Sequence, residues 1–550
     1  MNHRPLATAL LLLAGLPTAT VAVLALQAGL DAAGWRDLLS QPGLDRSVAL
    51  TLFTGLASTA LAWWISARLL QQAFVTGQLA RLLRPVPAML ATPHAAMAIG
   101  LVFLLAPSGW LLRLLAPLAG WDQPPAWTTT QDPWGLGLVL ALVVKEVPFL
   151  LWTAATQLQR DDVLRRWQSE HALALTLGYG SGTAFRRVVW PQLARRLRWP
   201  LLAVLAYGLT VVDMALVIGP ASPPTLAMQA WQWLLDADAL VQSRGAAAGM
   251  VLVALVAVCA ALADRVLMRR PAPGHGQRGA SPRTGPVAAL HGVRARAGLV
   301  AGVAMVGLYG LVLALLALGS VSGVWPFPDL WPQLWSLDAW RTVADSSATL
   351  STTFWLALAS SALALAWSVA WLEAAPPDWD RLARPLLYAS LVLPGVLWVV
   401  GLYRLGLGLR LEATATGLLL AHTLMVLPYV LLSLSPAYQG FDARHAQVCA
   451  SLGHGRWAFL WRVKWPLLRR SLAASLAVGF AVSVAQYLPT LYLGAGRLNT
   501  VTTEAVTLAA GGQRSLLGAF AGLQWLLPVA AFALAAWVGR PRRFAAPGSA

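Results

Sequence analysis

Twelve apolar runs of about twenty residues divide this sequence, and they restrict the folds that the chain can adopt. Hydrophobic residues make up 58% of the 550 residues, charged residues make up 11%, and mean hydropathy is +0.63. A helical run of this length matches the thickness of a bilayer, so the composition is typical of a polytopic membrane protein. The predicted spans are 5–30, 47–67, 87–107, 135–157, 199–219, 246–268, 298–320, 348–372, 386–405, 415–436, 471–493 and 517–539.

A second constraint is an internal repeat in two polar stretches that separate apolar runs. Residues 172–191 read ALALTLGYGSGTAFRRVVWP, and residues 447–466 read QVCASLGHGRWAFLWRVKWP. The two stretches are offset by 275 residues, half of the chain length, and they share leucine, two glycines, arginine, valine, tryptophan and proline at matching positions. A repeat with so long a period indicates two fused copies of one module rather than a solenoid.

These observations predict an all-α polytopic membrane protein with about 12 transmembrane helices in two tandem six-helix modules. The first module is assigned to 1–268 and the second to 298–550. Between them, 269–297 is basic and rich in proline and glycine, which is typical of a flexible linker.

Each repeated stretch predicts two short helical segments joined by a tight turn. Gly178 and Gly453 suit the left-handed residue that ends a helix. Thirteen residues later, Pro191 and Pro466 suit the first turn of the next helix, where a missing N–H costs nothing. We call residues 172–191 the first elbow and residues 447–466 the second elbow.

The spacing of glycine and proline in both elbows resembles the "EAA" loop of bacterial ABC-importer permeases. Ala172 and Gln447 occupy the position where that family has glutamate, and Trp190 and Trp465 stand where it usually has leucine. Fused permeases of the iron(III) and thiamine importers share the two-module layout. The segment VAQYLPTLYLGAGRLNTVTTEAV near the C-terminus also resembles a YnjC-like group of fused permeases.

The resemblance implies a permease subunit of an ATP-driven, binding-protein-dependent importer. Its partners would be ATP-binding cassette subunits, two copies in all, and a periplasmic substrate-binding protein. ATP would be bound and hydrolysed by those subunits, so this chain would be neither an enzyme nor the carrier of a cofactor. The residues that the resemblance assigns to coupling with the ATPase are Ala172, Leu177, Gly178, Arg187, Pro191, Gln447, Leu452, Gly453, Arg462 and Pro466.

The distribution of basic residues predicts the orientation in a bacterial inner membrane. With both termini in the cytoplasm, 30 of the 40 lysines and arginines fall on the cytoplasmic side, as the positive-inside rule requires. Both elbows are then cytoplasmic. The net charge of +18 thus reflects topology and contact with the lipid bilayer. Because the arginines are scattered among loops, we expect no nucleic-acid partner.

Polar and ionisable residues inside the predicted spans are candidates for a translocation path, because they are costly to place in a bilayer. A structural alternative is interhelical hydrogen bonding that fixes the packing of the bundle. The candidates are Lys145, Glu146, Asp213, His422, Gln486 and Tyr487.

No catalytic or metal-binding motif accompanies these residues. The sequence has no GxxxxGK[ST] loop and no HExxH, and its two cysteines lie far apart without a CxxC motif.

The alternative function is a twelve-helix secondary transporter driven by an ion gradient, which would leave the elbows unexplained. A polytopic lipid-modifying enzyme would require a cluster of acidic or histidine residues. Thiamine, ferric iron, an oxyanion and polyamines all remain compatible as substrates.

Overall fold

The computed structural model describes residues 4–158, 161–268, 288–511 and 513–540, and these ranges are predominantly helical. They contain no β-strand, and an isolated antiparallel bridge joins Ser322 to Trp335. The helices up to residue 320 are α1 Arg4–Gly29, α2 Ala32–Leu39, α3 Leu44–Val75, α4 Leu79–Leu83, α5 Val86–Leu90, α6 His94–Leu105, α7 Trp110–Ala119, α8 Leu136–Leu158, α9 Asp161–Thr176, α10 Ser181–Ala184, α11 Trp190–Arg196, α12 Arg198–Thr210, α13 Asp213–Ile218, α14 Leu226–Leu234, α15 Ala239–Met268 and α16 Ala288–Ser320.

The second half of the chain continues the same pattern. Its helices are α17 Asp338–Asp345, α18 Ser347–Ala374, α19 Pro377–Leu387, α20 Ala389–Val392, α21 Gly395–Gly408, α22 Ala415–Gln439, α23 Arg444–Ser451, α24 Arg456–Phe459, α25 Trp465–Val484, α26 Leu488–Gly494, α27 Val501–Ala509 and α28 Arg514–Val538. Two π-helical segments, Phe185–Val189 and Leu460–Lys464, precede α11 and α25.

Within the described residues, ten helices are long and apolar enough to cross a membrane. The prediction of an all-α polytopic membrane protein is therefore confirmed. Two of the twelve predicted spans, 199–219 and 386–405, are not among the ten. Each is divided into shorter helices, which hydropathy alone does not reveal.

Prolines accompany a break in the third predicted span of each half. Pro93 precedes α6 and Pro394 precedes α21, and both have extended backbone angles, with ψ of 153° and 132°. Proline has no N–H to donate and disfavours helical angles at the preceding residue, which is consistent with a helix ending before each of these two prolines. The chain restarts a helix on the far side of each proline.

The fifth predicted span of each half is also interrupted. Helix α12 ends at Thr210 and α13 begins at Asp213, whereas α25 ends at Val484 and α26 begins at Leu488. These breaks are separated by nearly the same 275 residues as the elbows. The repeat seen in the sequence therefore extends to the interruption of its helices.

By its packing, the chain divides into two compact units. The larger unit comprises Gly29–Trp340 with Leu508–Ala519, and the smaller unit comprises Met1–Ala28, Arg341–Thr507 and Phe520–Ala550. Most of α1 thus belongs to the smaller unit and α16 to the larger one. Most of the predicted linker lies outside the described residues, and the module boundaries 1–268 and 298–550 stay a prediction.

In the larger unit, α3 packs against α8 and α12, and α16 packs against α3 and α6. Its apolar core includes the fully buried Phe185 of the first elbow and Trp167 of α9, just before the elbow. Tyr309 of α16 donates a hydrogen bond to the carbonyl of Val144 in α8, at 3.0 Å. The first elbow is therefore anchored in the core of its unit.

In the smaller unit, α18 packs against α22 and α25, which corresponds to the arrangement of α3, α8 and α12 in the larger unit. Helix α1 joins this core through Trp367, whose indole N–H donates to the carbonyl of Leu10 at 3.0 Å. Trp367 also stacks on Trp371 with ring centroids 5.4 Å apart.

A buried threonine performs the same task in both units. The Thr51 hydroxyl of α3 accepts a hydrogen bond from the backbone N–H of Leu226, the first residue of α14, at 2.8 Å. In the smaller unit, the Thr353 hydroxyl of α18 accepts the N–H of Val501, the first residue of α27, at 2.9 Å. The first N–H groups of a helix have no partner within it, so each threonine satisfies a donor that is otherwise unpaired.

We predict that Thr51→Val and Thr353→Val each lower the free energy of unfolding by about 1–3 kcal/mol, because each leaves a buried N–H without an acceptor. Thr423→Val is the matched control, since the Thr423 hydroxyl bonds only to the carbonyl of Leu419 in its own helix. Thermal unfolding in detergent measures the difference. Equal stability of all three variants would contradict the assigned role.

Candidate functional sites in the two units

The first elbow turns through a hydrogen-bonded glycine turn at the end of α9. Gly178 has a positive φ of 83°, a conformation in which side chains clash with the backbone. Its N–H donates to the carbonyl of Leu175 at 3.0 Å, and the N–H of Tyr179 donates to the carbonyl of Ala174 at 3.1 Å. This pair of bonds defines a Schellman motif, which satisfies the free carbonyls at the helix end.

The second elbow repeats this turn at the end of α23. Gly453 has a φ of 76°, and its N–H donates to the carbonyl of Ala450 at 3.0 Å. The N–H of His454 donates to the carbonyl of Cys449, also at 3.0 Å. The local structure that the sequence predicts for the two glycines is therefore present in both copies.

A π-helical segment before each proline is a feature that the sequence did not predict. The N–H of Trp190 bonds to the carbonyl of Phe185, and the N–H of Trp465 bonds to the carbonyl of Leu460, each five residues back. The next residue in each copy is a proline, which cannot donate the usual helical bond, so a wider turn accommodates it. Pro191 and Pro466 lie in the first turn of α11 and α25, as the sequence predicts, and a π-helical segment leads directly into each of these helices.

Glu170 connects α9, which leads into the first elbow, to α11, which follows it. Its carboxylate accepts hydrogen bonds from Arg166 at 2.8 Å and from Gln192, just after the proline, at 2.6 Å. The bond from Arg166, followed by that from Gln192, holds the pKa of the Glu170 carboxyl below its ordinary value. Trp167 donates to the side chain of the same glutamine at 3.1 Å.

In the second elbow the carboxylate comes from another helix. Glu373, at the end of α18, forms ion pairs with Arg456, at 3.0 Å, and with Lys464. Tyr438 of α22 donates its hydroxyl to the same carboxylate at 2.7 Å. Neither elbow has an acidic first residue, and neither Glu170 nor Glu373 was among the predicted site residues. Glu170 lies two residues before the elbow, whereas no sequence signal connects Glu373 to it.

The outer face of each elbow carries an exposed apolar pair. The pairs are Leu173 with Leu177 and Val448 with Leu452, and all four side chains are between 56% and 68% exposed. The members of each pair are four residues apart, one helical turn, and the pairs correspond at the offset of 275. Leu173 and Val448 were not predicted as site residues.

The structure places nearly all the predicted coupling residues at the surface. Pro191 is partly exposed, and the exposed residues are Ala172, Leu177, Gly178, Arg187, Gln447, Leu452, Gly453, Arg462 and Pro466. Arg187 lies over the ring of Tyr179 at 5.8 Å.

Within the larger unit, Lys145 binds the backbone at the break of the third predicted span. Its ammonium donates to the carbonyls of Met89 at 3.4 Å, Leu90 at 3.5 Å and Thr92. The side chain is 4% exposed. The lysine therefore adds hydrogen bonds to the carbonyls where the helix is interrupted.

The neighbouring Glu146 belongs to a separate polar chain. Its carboxylate lies 3.7 Å from Nε2 of His94, the first residue of α6. The His94 ring packs on Tyr207 with centroids 4.6 Å apart, and the Tyr207 hydroxyl donates to Asp213 at 3.3 Å. The structure thereby connects Glu146 and Asp213 through two residues that sequence analysis did not select.

The corresponding cluster in the smaller unit has no acidic side chain and is fully buried. His422 of α22 bonds through Nδ1 to the hydroxyl of Ser483 at 2.8 Å and through Nε2 to that of Thr490 at 2.9 Å. These two residues lie on opposite sides of the break between α25 and α26. Gln486 lies within the break, and its backbone carbonyl accepts a hydrogen bond from the Thr490 hydroxyl. The next residue, Tyr487, is buried.

Among the residues with described side chains, no three histidine, cysteine or acidic groups come close enough to hold a metal ion. The molecule instead combines membrane-spanning helices, interrupted helices with polar clusters, and duplicated loops. This anatomy defines the class of transmembrane transport proteins.

The chain belongs to the family of inner membrane ABC transporter permeases. It is 33% identical over 533 residues to "Inner membrane ABC transporter permease protein YnjC" of Escherichia coli K12. The match covers 96% of this chain and 95% of that relative. It is 28% identical over 447 residues to "Thiamine transport system permease protein ThiP" of Escherichia coli K12, covering 76% and 75% of the two chains.

A shorter match extends the same family. The "Molybdenum transport system permease protein ModB" of Mycobacterium tuberculosis is 28% identical over 188 residues, or 32% of this chain and 70% of that relative. No protein-family model matches the sequence. The relatives make this chain a permease subunit of an ABC importer and place it in the inner membrane.

We predict that Gly453→Val speeds amide hydrogen exchange at His454 by about 5–30-fold. A left-handed residue with a side chain costs about 1–2 kcal/mol, and valine is branched at Cβ. No atom lies within 4 Å of a Cβ at this position, so the cost is one of backbone conformation. Hydrogen exchange with mass spectrometry provides the measurement.

Gly455→Val is the matched control, because Gly455 has an ordinary φ of −71° and equally open surroundings. Gly453→Asn should behave like the wild type, since asparagine tolerates the left-handed region. If both valine variants exchanged alike, the turn would not depend on glycine at position 453.

Proposed function

We propose that this permease couples to ATP-binding cassette subunits through its two elbows, each elbow docking on one of two copies. The observation that carries the proposal is the duplicated surface. Both elbows present the same glycine turn, the same π-helical joint and an apolar pair at matching positions. Exposed apolar side chains at a corresponding place in both halves suit two copies of one partner.

The anchoring of each elbow supports a mechanical role. Phe185 of the first elbow lies in the core of its unit. The second elbow is held to α18 by the ion pairs with Glu373 and to α22 by Trp465, whose indole N–H donates to the Tyr438 hydroxyl. A force applied to the apolar pair would therefore reach the membrane helices. Transport requires a permease with two conformations whose equilibrium ATP binding and substrate delivery bias in turn.

The remaining assignments follow from the same scheme. ATP would bind the partner subunits, the chain itself would carry no cofactor, and a periplasmic binding protein would deliver the substrate. The polar residues near the breaks, including Lys145, His422, Gln486 and Tyr487, would form or support the translocation path. Membership of the ABC permease family weighs against the alternative of a secondary transporter.

We propose further that both termini are cytoplasmic, since this orientation puts 30 of the 40 lysines and arginines on the cytoplasmic side. A fluorescent protein fused to the C-terminus should fold and fluoresce, and alkaline phosphatase fused at the same point should be inactive. The opposite pair of results would reverse the topology and expose the elbows to the periplasm.

Docking can be tested by replacing one member of each apolar pair. Leu173→Asp combined with Val448→Asp should abolish co-purification of an ATP-binding subunit with the tagged chain. Burial of each side chain in an interface is worth about 1.5–3 kcal/mol, and the aspartate adds a desolvation cost. Mass spectrometry of the proteins retained in mild detergent identifies the partner.

Leu382→Asp is the control, because Leu382 is 78% exposed on α19 and lies outside both elbows. It should retain the ATP-binding subunit at the wild-type level. Retention by the double variant as well would show that the apolar pairs are not the docking surface.

A further inference from the structure

The polar chain of Glu146, His94, Tyr207 and Asp213, called here the His94 cluster, lies where two interrupted helices of the larger unit meet their neighbours. His94 begins α6 after the break at Pro93, and Asp213 begins α13 after the break that follows α12. His94, Tyr207 and Asp213 are only partly buried. Interrupted helices inside a membrane commonly surround a substrate site, because irregular backbone is tolerated where it lines a cavity.

The charges of the cluster favour a cation. Glu146 and Asp213 contribute two carboxylates, and the nearby Lys145 contributes one ammonium. That ammonium already donates to the carbonyls of Met89, Leu90 and Thr92, so all three of its protons have acceptors within the protein. An anionic ligand would meet two carboxylates and no uncommitted ammonium.

The aromatic pair adds a second preference. The His94 and Tyr207 rings lie 4.6 Å apart at an angle of 49°, with a carboxylate beside each ring. A cation that approaches the face of an aromatic ring is attracted by its quadrupole, and a nearby carboxylate reinforces the attraction. Organic cations, which are less strongly hydrated than metal ions, suit such a site. Among the described side chains, no group of metal ligands competes with this assignment.

A buried hydroxyl close to His94 in the sequence has no partner. Thr92, two residues before His94, is 1% exposed, and its Oγ1 makes no hydrogen bond within the part of the chain that the structure describes. A buried polar group without a partner is costly, and a ligand that supplies the missing hydrogen bond removes that cost. This observation is independent of the charges and rings.

Of the two corresponding helix breaks, only the one in the larger unit has carboxylates that could bind a cation. At the corresponding break, the smaller unit has His422, Ser483 and Thr490, with no carboxylate among them. That set is fully buried and internally hydrogen-bonded, so it stabilises the break without offering a charge to a ligand.

We propose that the His94 cluster binds an organic cation, of the class of quaternary ammonium ions or cationic nitrogen heterocycles, as cargo in transit. The inference rests on the proposed transport function and specifies the chemistry of its substrate. Asp213 and Glu146 supply the counter-charge, and the rings of His94 and Tyr207 supply the face on which the cation packs.

The test is a binding isotherm on the purified full-length chain in lipid nanodiscs, without any partner subunit. Thiamine and tetramethylammonium serve as organic cations, and molybdate serves as an oxyanion. We expect saturable binding of at least one of these cations and none of molybdate. Asp213→Asn and Tyr207→Leu should each raise the Kd about tenfold or more, whereas Tyr207→Phe, which keeps the ring, should raise it less than about threefold.

Asp122→Asn, at an exposed loop position outside the cluster, is the control and should leave the Kd unchanged. Binding of molybdate instead of the cations, an absence of binding by both cations, or unchanged affinity in Asp213→Asn and Tyr207→Leu would each overturn the proposal. The result is separable from the docking experiment, because retention of an ATP-binding subunit by the tagged chain does not depend on which ion the chain binds.

Discussion

A backbone inside a bilayer finds no water, so each N–H and C=O must be satisfied by protein, and the rest of this structure depends on that constraint. Continuous helices meet it automatically, but four of the predicted spans are interrupted. At two of the interruptions, a buried polar side chain either donates hydrogen bonds to backbone carbonyls or joins the two helices on either side of the break. Lys145 takes up three carbonyls in the larger unit, and His422 joins both sides of a break in the smaller unit. The polar residues predicted for a translocation path are therefore also residues that stabilise the interrupted helices.

The elbows are held in shape mainly by backbone hydrogen bonds. The glycine turn and the π-helical joint are patterns of backbone hydrogen bonds, so neighbouring side chains can vary without changing the geometry. This explains how two stretches with few identical residues keep one shape. It also explains how the stabilising carboxylate can come from Glu170 in one copy and from the distant Glu373 in the other. Both copies keep an exposed apolar pair, Leu173 with Leu177 and Val448 with Leu452.

The sequence was sufficient for properties that depend on neighbouring residues. Apolar runs of bilayer length identified an all-α polytopic membrane protein, because a span is defined by about twenty consecutive side chains. Gly178 and Gly453 identified the two turns, because the left-handed conformation is a property of one residue and its immediate neighbours. The glycine and proline spacing identified the permease family, which the relatives confirm. Of the residues predicted for a site, those in the elbows are at the surface as expected of a docking loop, and their coupling role stays a prediction.

Tertiary structure decided what depends on residues far apart in the chain. Hydropathy treated 199–219 and 386–405 as continuous spans, because it averages side chains and does not register where the backbone leaves the helix. The connection of Glu146 to Asp213 runs through His94 and Tyr207, residues more than a hundred positions apart, whose contact exists only once their helices pack. The approach of Glu373 to the second elbow is long-range in the same way. The sequence by itself thus determined the class of fold, the repeat and the turns, whereas packing alone determined which polar groups meet, because a hydrogen bond or ion pair is specified by distance in space rather than by separation along the chain.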